Sequence, residues 1–253
     1  MSEWVLLLGG STGHGAATAK RLARDGFGII AFHFDRGDAK KIAEETIAEV
    51  NDTTKGNCHY FNTNAASEES MDKYIPKINE ITKGKPLKLL LHSIAFGTTT
   101  NFFGEKPVTQ RQMDMTVHVM GNSLLYWTQK LHQAKLLSKG SRMIGLTSEG
   151  NYLAREGYGP VSVAKVAMEA IIRQICWELG EIGITSNAVQ AGITPTRALT
   201  KITDNWEEWV ESTKKRNPMR RTTTPEDVAG TISMLLNPEA DFINCSITVS
   251  YTH

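Results

Sequence analysis

Short apolar runs alternate with longer amphipathic segments from one end of this sequence to the other, and no other feature constrains the fold as strongly. The alternation is typical of repeated βαβ units, in which each helix leads to the next parallel strand. Strands are predicted near 5–8, 28–34, 58–62, 87–94, 142–146, 184–189 and 247–250. Helices are predicted near 13–25, 39–50, 68–82, 110–138, 160–180 and 225–236. The sequence therefore predicts a doubly wound α/β fold, with a seven-stranded parallel sheet flanked by helices.

Length and charge narrow the class of protein. The 253 residues contain no linker or low-complexity tract, so one domain over 1–253 is predicted. A net charge of +1 gives no reason to expect a nucleic-acid or membrane partner. The apolar run at 4–8 stops at Gly9 without a basic lead-in, which predicts a cytoplasmic protein. The three cysteines lack a Cys-x-x-Cys spacing, so neither a disulfide framework nor a metal site is expected.

A glycine-rich turn, GGSTGHG at residues 9–15, follows the first predicted strand and precedes a helix. Glycines let the backbone approach a pyrophosphate, whose charge is met by helix N-terminal amides. A plain turn is the alternative interpretation, but the position between strand and helix favours binding of a dinucleotide. An NAD(P)-binding Rossmann domain is therefore predicted, with cofactor contacts from Gly9, Ser11, Gly13 and Gly15.

Further motifs resemble those of the short-chain dehydrogenase/reductase family. The opening turn has the family's glycine spacing, and Asn-Ala follows the third strand where members place residues against adenine. The run HSIAFG at 92–97 is similar to that of the enoyl-acyl carrier protein reductase branch. The resemblance implies further cofactor contacts from Asn64, Ala65, Ser93, Ile94 and Ala95.

The choice between NADH and NADPH depends on the end of the second strand, where an acid suits the ribose hydroxyls and a base suits the extra phosphate of NADPH. The family pattern reaches His33 there, followed by Asp35 and Arg36. We expect Asp35 to cap the following helix and Arg36 to remain available for a phosphate. His33 and Arg36 are thus predicted cofactor contacts, and NADPH is favoured, with NADH as the alternative.

A tyrosine and a lysine define the predicted catalytic site. Tyr158 and Lys165 are seven residues apart, which returns them to one side of a helix. The resemblance to the enoyl reductase branch implies this spacing, and it also implies a histidine at the position of His118. The spacing of most family members would instead need a tyrosine at the position of Val161. The resemblance implies that Tyr158 hydrogen-bonds a thioester carbonyl while Lys165 stabilises its charge and holds the nicotinamide ribose. Ser148, at the end of the fifth strand, either helps to bind that carbonyl or simply ends the strand.

After the sixth strand, a long segment at about 194–219 is predicted to form a lid over the substrate. The residues that lead into this segment resemble the family segment that holds the nicotinamide and pyrophosphate. The resemblance implies cofactor contacts from Ile193 and Thr196. The predicted substrate contacts are Phe96, Tyr152, Leu199 and Trp206.

The resemblance implies NAD(P)H-dependent reduction of the trans-2 double bond of an enoyl thioester in fatty acid biosynthesis. The alternatives are a 3-ketoacyl or other carbonyl reductase and, from another class, a non-catalytic dinucleotide-binding regulator. The acyl thioester partner is carried by acyl carrier protein or by coenzyme A. The lid offers acidic residues where the branch often has basic ones, which argues against carrier docking there: Asp204, Glu207 and Glu208. The basic run at 214–216, Lys214, Lys215 and Arg216, either serves in docking, contacts the phosphates of a coenzyme A ester, or is a solvated helix end. The resemblance also implies a homotetramer.

Overall fold

The chain folds around one parallel sheet. The computed structural model describes residues 3–197, 199–202 and 205–250. The strands of this sheet are ordered β3-β2-β1-β4-β5-β6-β7, and each neighbouring pair is parallel. Their bounds are β1 Trp4–Leu8, β2 Gly28–His33, β3 Cys58–Asn62, β4 Leu89–His92, β5 Arg142–Ser148, β6 Thr185–Ala191 and β7 Ile247–Ser250. The predicted Rossmann-type fold with seven strands is confirmed.

Helices cover both faces of the sheet. Their bounds are α1 Gly13–Arg24, α2 Asp38–Thr54, α3 Glu68–Thr82, α4 Gln110–Val117, α5 Ser123–Gln133, α6 Gly159–Leu179, α7 Leu199–Ile202, α8 Trp206–Arg216 and α9 Pro225–Leu235. One cluster of buried residues on the strands packs against α3, α5 and α6, and a second packs against α1 and α9. Burial on both faces explains why the strands are nearly continuous apolar runs. Among the described residues, no helix is both long and apolar enough to cross a bilayer.

The prediction of one continuous helix over 110–138 was wrong. The helix is interrupted by a π-helical turn at His118–Asn122, which separates α4 from α5. Within this turn Gly121 packs so closely on α6 that an added Cβ would lie 2.8 Å from the carbonyl oxygen of Ala164. The helix then ends at Gln133, shortly before Lys135 adopts a φ of 59°. Apolar periodicity alone does not reveal either event.

The described part of the predicted lid contains two helices, and Asp204 lies outside it. The short α7 is followed by α8. Each helix has a buried side chain, Leu199 in α7 and Val210 in α8. Thr224 then caps α9 in a capping box with Asp227. The burial of Leu199 and Val210 thus attaches the described part of the lid to the body of the protein.

Candidate active site

The predicted site residues lie after the strands or near the start of α6. Because β1 to β6 are parallel, their carboxyl ends meet at one edge of the sheet. That edge carries the glycine-rich turn at 9–15 and the predicted contacts at 33–36, 64–65, 93–96, 148–152 and 193–196. The fold thus gathers residues that are distant in sequence.

The glycine-rich turn is built from positions that have no room for a side chain. Gly9 has a φ of +92°, and an added Cβ would lie 2.6 Å from the carbonyl oxygen of Ser93. An added Cβ at Gly15 would lie only 1.7 Å from the carbonyl oxygen of Gly9. Within the described chain, Thr12 at the N-cap of α1 makes no side-chain capping bond. The first amides of α1 are therefore not capped by that side chain, which fits the binding of a pyrophosphate.

The far side of this turn faces the segment after β6. The nearest atom to a Cβ added at Gly13 is the Cγ2 atom of Thr196, at 3.9 Å. His14 Nε2 lies 3.1 Å from Thr194 Oγ1, whose hydroxyl donates to the carbonyl of Gly192. The histidine must therefore be the donor, and burial lowers its pKa to about 4, which keeps it neutral. Ile193 is half-buried between these contacts.

Asp35 does not cap α2, and that expectation was wrong. The N-cap of α2 is Gly37, with no side-chain cap among the described residues. The carboxylate of Asp35 instead accepts a hydrogen bond of 2.5 Å from the Ser11 hydroxyl and lies 2.9 Å from His33 Nδ1. Arg36 is exposed, with its guanidinium group 4.6 Å from the centre of the Phe34 ring. An acid therefore faces the glycine-rich turn, because β1 and β2 are adjacent in the sheet.

The predicted adenine-side residues are held by one short-range and one long-range hydrogen bond. Asn64 accepts from the amide of Ala66, and the carbonyl of Ala65 accepts from the Trp127 indole at 2.7 Å. His118 lies 2.8 Å from the Ala66 carbonyl, so its ring anchors this loop. The position of His118 in the π-helical turn thus has a local structural role.

The loop after β4 crosses between the glycine-rich turn and α6. The amide of Ser93 donates to the carbonyl of Leu8, and Ile94 packs against the buried clusters beneath α5 and α6. Ala95 is exposed. Phe96 is 63% exposed, so its ring is available to a ligand rather than used in the core.

Two hydroxyl groups form the centre of the predicted catalytic site. Ser148 Oγ, at the end of β5, lies 2.8 Å from the Tyr158 hydroxyl at the N-cap of α6. The Tyr158 ring packs on Gly150, where an added Cβ would lie 2.2 Å from Cε1 of the ring. Burial raises the pKa of Tyr158, while the hydrogen bond with Ser148 partly opposes the increase. The tyrosine is therefore protonated and fixed in position at neutral pH.

Lys165 is buried two turns along α6. Burial lowers the pKa of its amine to about 8, and the nearby carboxylate of Glu169 acts in the opposite direction. Glu169 is itself buried and accepts a hydrogen bond of 2.5 Å from Thr147 and another from Asn151. These bonds join α6 to the end of β5 and the turn that follows it. Sequence reasoning missed Glu169, although its position one turn after Lys165 was a usable signal.

The predicted substrate residues are less closely grouped. The Tyr152 hydroxyl accepts from Gln190 at the end of β6 at 3.0 Å, Leu199 is buried in α7, and Trp206 is half-buried at the start of α8. The lid contacts the segment 149–158 between β5 and α6, which is named the catalytic turn because it leads to Tyr158. One contact is that of Trp209, whose ring centre lies 4.8 Å from the guanidinium group of Arg155.

An ion pair continues this contact between the lid and the catalytic turn. Arg155 also pairs with the buried carboxylate of Glu149, and Arg216 from α8 approaches that carboxylate at 4.0 Å. Sequence reasoning missed Glu149 and Arg155, since no local pattern relates them to the lid.

Comparison with known proteins identifies the family. A family model described as enoyl-(acyl carrier protein) reductase matches residues 9–250. A short-chain dehydrogenase/reductase from Serratia marcescens superposes with a TM-score of 0.82 at 22% identity, covering 98% of this chain and 95% of that one. The chain belongs to the short-chain dehydrogenase/reductase family. The resemblance predicted from the sequence motifs is thereby confirmed.

Relatives within this family include reductases of enoyl-acyl carrier protein. The "Enoyl-[acyl-carrier-protein] reductase [NADH] 2" of Rhizobium meliloti is 30% identical over 240 residues, which cover 92% of this chain and 84% of that protein. An enoyl-acyl carrier protein reductase from Anaplasma phagocytophilum, solved with NAD, has a TM-score of 0.81 at 18% identity, covering 98% of this chain and 90% of that one. At that identity the structural match supports the shared fold alone. The chain is an oxidoreductase of this family that is similar to enoyl reductases.

Proposed function

We propose that this protein reduces the trans-2 double bond of an enoyl thioester, with NADH as the hydride donor. The observation that carries the proposal is the pair of hydroxyls from Ser148 and Tyr158, 2.8 Å apart, beside a helix that buries Lys165. Two hydroxyls at one point can bind a single carbonyl oxygen and stabilise the negative charge that develops there. The Tyr-x6-Lys spacing and the enoyl reductase relatives favour C=C over C=O reduction.

Tyr158 is the proposed hydrogen-bond donor to the substrate carbonyl. Its hydroxyl donates to the thioester carbonyl oxygen, and that hydrogen bond strengthens as the oxygen becomes an enolate. Ser148 donates a second hydrogen bond to the same oxygen. Because the pKa of Tyr158 is raised, the phenol keeps its proton until charge reaches the carbonyl. A proton from solvent water then adds to the α-carbon as the carbonyl re-forms, so that this proton and the hydride at the β-carbon together complete the reduction.

Lys165 is proposed to supply the positive charge of the site. With a pKa of about 8, its amine is mostly protonated at neutral pH, and it favours negative charge on Tyr158 or on the substrate oxygen. Glu169 acts as a positioning residue, since its carboxylate favours the charged amine and its bonds to Thr147 and Asn151 connect the elements around it.

The residues of the glycine-rich turn fit a nicotinamide dinucleotide, which when bound supplies the hydride to the β-carbon. We propose that the first amides of α1 bind its pyrophosphate, with Thr196 opposite Gly13. Asp35 would accept a hydrogen bond from a ribose hydroxyl and would repel a 2′-phosphate. The preference for NADPH derived from the sequence loses its main support, because it required Asp35 to cap α2. NADH is therefore the proposed donor.

Replacement of Asp35 tests this choice. We expect the wild-type protein to bind NADH more tightly than NADPH, and Asp35→Ala to reduce that ratio by about tenfold, because a repulsive charge is removed. The dissociation constants are measured by the change in nicotinamide fluorescence on binding. Asp38→Ala, which removes an exposed carboxylate three residues later, is the matched control and should leave the ratio unchanged. A wild-type preference for NADPH would contradict the assignment.

The exposed apolar side chains beside the catalytic turn suit an acyl chain. Phe96, Phe102, Tyr152 and Leu153 are all exposed large hydrophobic residues, and the Phe102 ring packs against Gly159 next to Tyr158. We propose that they line the path of an acyl group attached to acyl carrier protein or coenzyme A, in fatty acid biosynthesis. A homotetramer remains the expected assembly.

A carbonyl reductase is the second candidate. The same pair of Ser148 and Tyr158 hydroxyls could donate to a ketone oxygen, with the hydride delivered to the carbonyl carbon instead. This arrangement needs no change in any residue of the site. Only the substrate distinguishes the two reactions.

A comparison of substrates tests the proposed function directly. Purified protein with NADH is given crotonyl-coenzyme A or acetoacetyl-coenzyme A, and loss of nicotinamide absorbance is followed. Turnover of the enoyl substrate supports the proposal, whereas turnover of only the ketoacyl substrate supports the carbonyl reductase. Cofactor binding without turnover of either substrate, or of the corresponding acyl carrier protein thioesters, would support a regulator.

The titration of Lys165 predicts the pH dependence. We expect kcat/KM to fall as the pH rises through about 8, because the amine then loses its charge in the free enzyme. Glu169→Gln removes a carboxylate that raises the pKa of this amine, so the fall should move to lower pH. Glu178→Gln, on the exposed side of α6, is the control and should retain the wild-type profile. An unchanged profile in Glu169→Gln would exclude the proposed electrostatic role.

A further inference from the structure

One arginine in the catalytic turn contacts both the lid and the end of β5. The guanidinium group of Arg155 lies 4.8 Å from the ring centre of Trp209, a half-buried residue of α8. The same group donates a hydrogen bond to the carboxylate of Glu149, the residue that directly follows Ser148. Arg155 therefore connects the lid to the strand that carries one of the two hydroxyls of the proposed site.

The ion pair beneath the tryptophan ring is largely shielded from water. The side chain of Glu149 is 10% exposed and that of Arg155 is 21% exposed. A carboxylate that is buried in this way is strongly disfavoured unless a cation remains beside it, so Glu149 fixes the position of the guanidinium group. Arg216, at the end of α8, approaches the same carboxylate at 4.0 Å. Two residues of the lid thus converge on one ion pair of the catalytic turn.

The backbone of Arg155 connects this contact to the catalytic tyrosine. The carbonyl of Arg155 accepts a hydrogen bond of 3.2 Å from the amide of Tyr158. At the other end of the turn, the carbonyl of Glu149 accepts a hydrogen bond of 3.0 Å from the amide of Leu153. The ion pair of Arg155 therefore closes the turn that lies between the two hydroxyls of the site.

We propose that Arg155 is a positioning residue that couples the lid to Tyr158, an inference that rests on the proposed function. When the ring of Trp209 covers the guanidinium group, Arg155 is held on Glu149, and the turn keeps the Tyr158 hydroxyl beside Ser148. Without the ring, the guanidinium group loses its contact with the lid and the turn loosens. A small displacement of either hydroxyl then slows the reaction, because both must donate to one substrate oxygen.

The flat guanidinium group is what suits arginine to this role. One face of the group lies against the aromatic ring while its N–H groups donate to the carboxylate. A lysine keeps the positive charge, but its compact ammonium group has no plane that serves both contacts at once. Arg155→Lys therefore preserves the charge of the turn and removes the stacking on Trp209.

Hydrogen exchange measures the coupling without any turnover. In Trp209→Leu, we expect peptides from 149–158 to exchange about fivefold faster, because the amide of Tyr158 donates to the carbonyl of Arg155 within this turn. Peptides from β3, at the far edge of the sheet, should exchange as in the wild-type protein. Trp177→Leu, which removes a tryptophan that is 84% exposed on α6, is the matched control and should leave 149–158 unchanged. Wild-type exchange of 149–158 in Trp209→Leu would overturn the proposal.

Steady-state kinetics test the effect on the reaction, with whichever thioester the wild-type protein reduces. We expect Trp209→Leu and Arg155→Lys to lower kcat by about tenfold. The dissociation constant of NADH should stay near the wild-type value, because the glycine-rich turn is unchanged. Trp209→Phe keeps a ring over the guanidinium group and should retain most of the rate, as should Arg173→Lys on the exposed side of α6. A higher KM with an unchanged kcat would mean that the lid only holds the substrate, and the positioning role would be excluded.

A double variant separates one shared contact from two independent effects. If Arg155 and Trp209 act through each other, Arg155→Lys combined with Trp209→Leu should be no slower than the slower single variant. Losses that multiply would contradict the coupling, provided that circular dichroism shows each variant to be folded. If the wild-type protein reduces neither thioester, the proposed function fails, whereas the exchange of 149–158 still decides whether the lid is coupled to the turn.

Discussion

Tyr158→Phe should reduce the turnover of crotonyl-coenzyme A by about 10²–10⁴-fold, the range typical of removing a positioned proton donor. The ring is retained, so its packing on Gly150 should persist and the protein should fold normally. Only the hydroxyl that lies 2.8 Å from Ser148 is lost. Because Lys165 and the glycine-rich turn are unchanged, the dissociation constant of NADH should stay close to the wild-type value. Steady-state kinetics and fluorescence titration measure the two quantities.

Tyr152→Phe is the matched control for this experiment. Tyr152 is also in the catalytic turn, but its hydroxyl accepts from Gln190 at the end of β6. We expect its removal to change the turnover far less than the loss of the Tyr158 hydroxyl. If Tyr158→Phe reduced the substrate at the wild-type rate, the assignment of Tyr158 would be wrong.

Gly15→Ala should disrupt the glycine-rich turn. The added Cβ would lie 1.7 Å from the carbonyl oxygen of Gly9, and neither atom belongs to a flexible side chain. We expect a loss of about 1–3 kcal/mol or more in the free energy of unfolding, as for other overpacked sites. The melting temperature should fall by roughly 5 °C or more, and NADH binding should weaken by at least about tenfold. Thermal unfolding and fluorescence titration provide the measurements.

Gly230→Ala is the control for Gly15→Ala. Gly230 is within α9, and the nearest atom to an added Cβ is a side-chain nitrogen of Arg21 at 3.9 Å, an ordinary contact. Alanine has a higher helix propensity than glycine, so this variant should be at least as stable as the wild-type protein. Equal stability of Gly15→Ala and the wild-type protein would show that the turn adapts to a side chain there.

Features that depend on neighbouring residues were predicted well. The bounds of β3 and α3 match the sequence prediction, because apolar spacing and terminal signals such as the Ser67 cap are local. The helix predicted over 110–138 has an interruption that depends instead on tertiary contacts. Its apolar pattern continues through the π-helical turn, whereas the close approach of α6 at Gly121 depends on a distant part of the chain.

The candidate site shows the same division. The glycine-rich turn, Tyr158 and Lys165 could be recognised from their spacing, which a single turn or helix sets. The role of Asp35 could not, because the local sequence offers a cap for α2 and only the pairing of β1 with β2 brings this carboxylate to Ser11. Trp209 likewise meets Arg155 only after the chain has formed β6 and returned through the lid.

The sequence by itself determined the parallel α/β architecture, the order of its elements and the two motifs that indicate a nicotinamide-dependent reductase. These depend on periodicity and spacing within one element or one turn. Only the tertiary structure decided which side chains meet: Asp35 with Ser11, and Ser148 with Tyr158. The physical reason is that sheet order and helix packing bring together residues that are remote along the chain, and no local pattern encodes those distances.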